Sequence, residues 1–239
     1  MAIALSGLTT NNVSFGDLAG LAGQSALSFA LVLKVNSLGA EPREIAHQWS
    51  TSGADRNFTI RLSNTDEIAF YVGNGTTLFG RETTTVNFTN GNTYRIVCTV
   101  LFGSPPVMHI YVNGSEQTLT ALASNDVTSS LDSTSAVKVG YDVLEDVNAI
   151  DGDYAEFAIW QRELTSGQAL EYTANNRYPT CCGPTGLIYL PMTDTTTLTD
   201  QWSSVTATLT GGSNATHPTM VACAATNLPF MTRMTSRRT

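Results

Sequence analysis

The sequence predicts an all-β fold, an antiparallel β-sandwich with one short helix after its closing strand. Three observations predict it. Short apolar stretches alternate with a period of two. Gly and Asn turns punctuate them at short intervals. A single helix signal stands late in the chain, at residues 165–174.

The strands come in order. In LSFALVLKV (27–35), Leu27, Phe29, Leu31, Leu33 and Val35 share one face, which predicts a half-buried strand. NFTIRLSNTDEIAFYVGNG (57–75) repeats the device, with Phe58, Ile60 and Leu62, a Ser-Asn-Thr-Asp turn, then Ile68, Phe70 and Val72. TYRIVCTV (93–100) sets Tyr94, Ile96, Cys98 and Val100 together. In VMHIYVNG (107–114), Met108, Ile110 and Val112 oppose Val107, His109 and Tyr111. Asn113-Gly114 is a strong hairpin signal, because both residues tolerate positive φ. SAVKVGYD (135–142) is a further short strand. The helix follows Trp160. Thr165 is a suitable N-cap, Gln168 completes a capping box, and Leu164 can staple onto Ala169. Asn175-Asn176 can stop it. A helix this short is marginal alone, so it must lean on a sheet edge or on the end of the sandwich.

Composition bounds the partners. The chain has 239 residues, a size that one all-β domain can reach. Charged residues are only 13%, about half the usual share, so Thr, Ser, Asn and Gly must build the polar surface. The net charge of −8 argues against nucleic acid. No apolar run reaches membrane-spanning length. MAIALSGLTTNN lacks the basic-then-apolar order of a signal peptide. Cys98 reads as a small buried hydrophobe, and Cys181, Cys182 and Cys223 lack zinc spacing. The four are read as free thiols, with a disulfide to Cys223 as the alternative.

DGDYAEFAIWQRELTSGQALEYTANNR (151–177) resembles the closing strand and helix of laminin G-like, concanavalin A-like domains. Asp151, Gly152, Phe157, Ile159, Trp160, Arg162, Leu164 and Thr165 take matching places. LSFALVLKV, VMHIYVNG and VKVGYD resemble earlier strands of that family, in the same order, and GLIYLPMTDTTTLTDQWSSVTATLTGG resembles an element often found beside such domains. The resemblance implies a concanavalin A-like jelly roll over residues 1–215, with 216–239 an irregular tail. It also implies that Trp160 packs against the helix. Relatives include lectins, pentraxins, glucanases and phage virion proteins, so the fold alone does not name the function.

Each chemistry that the family offers can be tested on the residues. Retaining glucanases need two carboxyls about 5–5.5 Å apart. Asp151 and Asp153 share a strand face, but Glu156 lies on the other if the strand is regular. No G-x-S-x-G or H-E-x-x-H motif occurs, so a non-enzymatic protein is expected. Calcium is the one cofactor the resemblance implies, through Asp142, Glu145, Asp146, Asp151 and Asp153. Ala155-Glu156 stands where relatives carry two acids, and the plainer reading of these residues is a solvated acidic loop. Glycan contacts would come from Trp49, Tyr71, Tyr141 and Trp202, whose plainer role is packing.

The end of the chain is basic in an acidic protein, and Arg233, Arg237 and Arg238 are read as assembly contacts. Together these features favour a non-enzymatic phage virion surface protein, such as a capsid decoration or a head- or tail-attached component. Its partners would be other virion proteins or further copies of itself. The alternative is a carbohydrate-binding module, extracellular or on a cell surface, that adheres to host-surface glycans; a glycoside hydrolase comes third.

Overall fold

The computed structural model describes residues 2–6, 11–38, 42–50, 53–140, 150–181, 185–192, 198–203 and 205–216. Strands β1 (Ala2–Ser6), β2 (Asn12–Ser14) and β3 (Ala26–Ser37) open the chain. They are followed by β4 (Arg43–Trp49), β5 (Arg56–Leu62), β6 (Ile68–Gly73) and β7 (Leu78–Thr83). Next come β8 (Thr93–Leu101), β9 (Val107–Val112), β10 (Ser115–Glu116), β11 (Leu119–Ser124) and β12 (Lys138–Val139). The long β13 (Asp151–Trp160) leads into helix α1 (Ser166–Ala174), and β14 (Ile188–Pro191), β15 (Thr208–Thr210) and β16 (Ser213–Ala215) complete the sheets.

Two antiparallel sheets of eight strands each form a sandwich. One has the order β10-β9-β8-β3-β13-β1-β16, with β14 pairing the second half of β13 beside β1. The other has the order β11-β7-β6-β5-β4-β12-β2-β15. The core lies between them. Leu27, Phe29, Leu31, Leu33 and Val35 of β3 meet Phe58, Ile60 and Leu62 of β5 and Ile68, Phe70 and Val72 of β6 in one buried cluster. Phe29 anchors it, with ring centroids 4.3 Å from Phe58 and 5.7 Å from Phe70. The expected stripes of β8 and β9 join the same cluster, and Asn113 and Gly114 both take positive φ in the turn after β9.

β3 differs from expectation, because it is buried on both faces. Its second face, with Ala30 and Val32, lies in a smaller cluster with Trp160, Leu164, Ala169 and Tyr172. That cluster is the seat of α1. The helix therefore packs on the outer face of the sheet at its β8-β9-β10 edge, one of the two places expected for it. Its start follows the sequence. The Thr165 side chain accepts from Gln168 N, and the Gln168 side chain accepts from Thr165 N at 3.0 Å. Trp160 is fully buried in this cluster, as the resemblance implies.

The cysteines correct the free-thiol expectation. Cys98 is free and buried, and burial pushes its thiol well above the usual range. Cys181 is disulfide-bonded.

Candidate functional site

The groove begins with two bulges. A regular strand sends alternate side chains to opposite faces, and one extra residue resets the alternation. In β4, Glu44 pairs with Arg61 and Ala46 with Ile60, so Ile45 is the extra residue. In β5, Gln48 pairs with Phe58 and Trp49 with Arg56, so Asn57 is the extra residue. Without the second bulge, Arg56 would point into the core beside Phe58. With it, Arg56 joins Thr59 and Arg61 on the outer face. The bulge is held by side chains, since Asn57 Nδ2 donates to Gln48 Oε1 at 2.7 Å and Leu131 N donates to Asn57 Oδ1 at 3.2 Å.

Across the outer face, the ladder sets His47, Thr59, Tyr71 and Gly80 in one row. Trp49, Arg56, Thr59, Arg61, Tyr71 and Leu78 line a groove of about 210 Å³ there. Tyr71 leans across Gly80 of β7, where any Cβ would collide with its ring. The Arg61 guanidinium lies over the same ring, 4.8 Å from its centroid, and Nη2 donates to the Tyr71 hydroxyl at 3.2 Å. Arg56 sits 5.4 Å from the Trp49 ring in a similar pairing. Such cation–π contacts hold a guanidinium in place without neutralising it. The floor is polar and buried: Thr59 donates its hydroxyl to Glu44, which is itself 4% exposed. Beside the floor, burial lowers the pKa of Lys138. Asp55, immediately before Arg56 in the chain, ties the 133–135 loop to this end of the sheet. It accepts from Thr134 N at 2.9 Å and from Ser135 Oγ at 2.6 Å. Burial would raise its pKa, but hydrogen bonds from Ser133, Ser135 and Thr134 lower it on balance.

Of the aromatic residues expected to meet a glycan, Trp49 and Tyr71 come together in this groove. Trp202 does not. It packs at tilted angles against Trp160 and Tyr189, with centroids 5.2 and 5.4 Å away, beside the cluster on the other sheet. Tyr141 lies outside the described residues. Arg56 and Arg61 were not singled out in the sequence. Arg61 was legible as an outward position alternating with Ile60 and Leu62; Arg56 was not, because its bulge leaves no mark in the hydrophobic pattern.

The acidic candidates are scattered. Asp142, Glu145 and Asp146 lie outside the described residues, as do Arg233, Arg237 and Arg238. Asp153 is engaged by Lys34 Nζ at 3.3 Å and by Asn36 Nδ2 at 2.8 Å. Asp151 borders a separate hollow with Ser6, Asn11 and Ser213. Among the described residues no three His, Cys, Asp or Glu side chains gather as a metal site. Glu156 corrects the sequence reading. Tyr154 pairs with Leu33 and Glu156 with Val32, so Ala155 is an extra residue and Glu156 shares the face of Asp153. It does not reach solvent. It is fully buried in the helix-side cluster, where the Tyr189 hydroxyl donates to it at 3.3 Å. Burial pushes its pKa up to about 8, against the pull of Arg95 and of hydrogen bonds from Tyr189 and Tyr172.

Comparison with solved structures gives the same fold. A putative carbohydrate-binding protein from Bacteroides ovatus matches at a TM-score of 0.62 and 14% identity, covering 93% of this chain and 61% of that one. The heptameric SAP-like pentraxin of Limulus polyphemus matches at 0.53 and 16% identity, covering 73% and 82%. The CBM40 of the Ruminococcus gnavus IT-sialidase, solved with α2,3 sialyllactose, matches at 0.52 and 13% identity, covering 72% and 96%. At these identities the likeness speaks for the fold alone. No curated protein sequence matches the chain. A family model does, over residues 7–169, more than half of the chain. With its two antiparallel sheets, its closing strand and its capped helix, the chain belongs to the concanavalin A-like lectin/glucanases superfamily.

Proposed function

We propose that this chain is a carbohydrate-binding module that takes a glycan in the outer groove between Trp49, Arg56, Arg61 and Tyr71. The observation that carries the reading is the groove itself. Two aromatic rings and two guanidinium groups converge on a polar, partly buried floor in the middle of a rigid sheet. Sites of this kind pair apolar surface with a few fixed polar groups. Support comes from neighbours of the same fold, one of them solved with arabinotriose and another with sialyllactose. The disulfide at Cys181 fits an oxidising compartment, and hence an extracellular or cell-surface protein.

The reading is non-catalytic. The bulge at Ala155 does turn Asp153 and Glu156 to one face, but Glu156 is sealed beneath α1 and Asp153 is held by Lys34. Attachment to a virion rests on the low charge content and on tail arginines outside the described residues, so glycan binding is the primary reading.

A glycan panel with the purified protein, with and without calcium, tests it. Binding of at least one saccharide class is expected, and Tyr71→Ala should weaken it about tenfold or more by removing the platform under Arg61. Circular dichroism checks that the variant keeps its fold. No binding to any saccharide, or full binding by a folded Tyr71→Ala variant, overturns the assignment.

A further inference from the structure

We infer that the groove selects an acidic sugar, one that carries a carboxylate or a sulfate. The inference rests on the proposed glycan-binding role and deepens it.

The sequence suggests that Trp49 and Tyr71 stack on sugar rings. The structure leaves little of them free to do so. Tyr71 is held between Gly80 and the Arg61 guanidinium, and Trp49 is only 6% exposed with Arg56 beside it. The rings support the arginines, and the arginines meet the ligand.

Neither Arg56 nor Arg61 forms an ion pair among the described residues. Glu44 stands opposite Arg61 in the ladder, but it is buried and receives the Thr59 hydroxyl, and no ion pair joins it to Arg61. The Nε–H groups of Arg56 and Arg61 and the indole N–H of Trp49 are buried without a hydrogen-bond acceptor. A buried donor left without a partner is costly, and three fall around this one groove, although Arg43 and Arg162 leave Nε–H groups without an acceptor elsewhere. No carboxylate is among the side chains that line the groove, and Glu44 lies beneath its floor, bonded to Thr59. The contrast with the rest of the molecule sharpens the point. The chain carries a net charge of −8, and the hollow beside α1 includes Glu163 and a His109 already bonded to Glu116 at 2.6 Å.

Two fixed guanidinium groups with spare donors call for an anion, since planar N–H forks bind carboxylate and sulfated or phosphorylated groups through paired hydrogen bonds. The groove is smaller than the roughly 300–1,000 Å³ of sites that enclose a drug-sized ligand. Its size suits one acidic sugar unit of a chain or branch, with neighbouring units lying over the sheet.

Binding isotherms on the whole protein test this with three matched pairs. Polygalacturonate is compared with its methyl ester, sialyllactose with lactose, and dextran sulfate with dextran. At least one acidic member is expected to bind about tenfold or more tightly than its neutral partner, with the preference shrinking as salt rises. The pair that shows it distinguishes carboxylate from sulfate. Arg56→Gln with Arg61→Gln should erase the preference. Arg56→Lys with Arg61→Lys, which keeps the charge but not the fork, should keep part of it and guards against a folding defect in the first variant. Neutral sugars that bind as well as acidic ones, or a preference unchanged in the folded Gln variant, overturn the inference and leave glycan binding standing. Absence of binding to every member, acidic and neutral, overturns the glycan reading itself.

Discussion

Ala155 adds one residue to β13 and so decides the fate of Glu156. Counting by twos from Asp153 puts Glu156 on the opposite face, whereas the bulge returns it to the same one, under α1. There the carboxyl is kept from water, and burial raises its pKa from 4.5 to about 8. The sign of the consequence follows from which form the fold favours. The folded state holds the proton more tightly than the unfolded chain, so this contribution to stability is complete below about pH 4.5 and is lost as pH rises through about 8. Thermal denaturation from about pH 5 to about pH 9 should therefore show a falling Tm, and Glu156→Gln should flatten the fall. Superimposable pH profiles for the two proteins would refute this role. The same arithmetic of single extra residues explains Arg56. Hydrophobic alternation names the outward side chains of a regular strand, as it does for Arg61, and a bulge breaks that count without changing composition.

At the scale of elements, α1 was the most legible part of the chain. Its cap, its box and its stop are local, made between residues three or four apart, and local chemistry is what a sequence displays. Thr165→Ala should cost about 0.5–2 kcal/mol, read as a shift in the denaturant midpoint. A change below the error of that measurement would mean that packing of Leu164, Ala169 and Tyr172 holds the helix unaided. That the helix leans on a sheet edge was expected, but which strands seat it was not legible. The sequence shows that α1 has an apolar side, but the matching patch is assembled from Ala30, Val97, Tyr111 and Ala158, on four different strands. β4 is the reverse case. REIAHQW has no clean alternation, because the extra residue Ile45 interrupts it. Yet it carries Glu44, His47 and Trp49, three of the side chains in or beside the groove.

At the scale of the whole molecule, the collinear order of strand patterns was enough to place the chain in its superfamily. Function was less legible, since a shared sandwich hosts many binding surfaces and the groove depends on long-range pairing. The disulfide at Cys181 is likewise a tertiary fact that cysteine spacing leaves open. Reduction under native conditions should lower stability by about 2–4 kcal/mol, or Tm by about 4–16 °C. An unchanged Tm with dithiothreitol would show the bond to be incidental to the fold. The pairing of β1 with β16 carries a different consequence. Ala2 stands opposite Ala215, and neighbouring strands lie only about 4.7–4.9 Å apart. A loop of some other protein, opened at a single point, could thus pass through the sixteen described strands, from β1 to β16, and resume almost where it left off. The guest would be attached through one sheet and would present the other, groove outward, to whatever the host encounters.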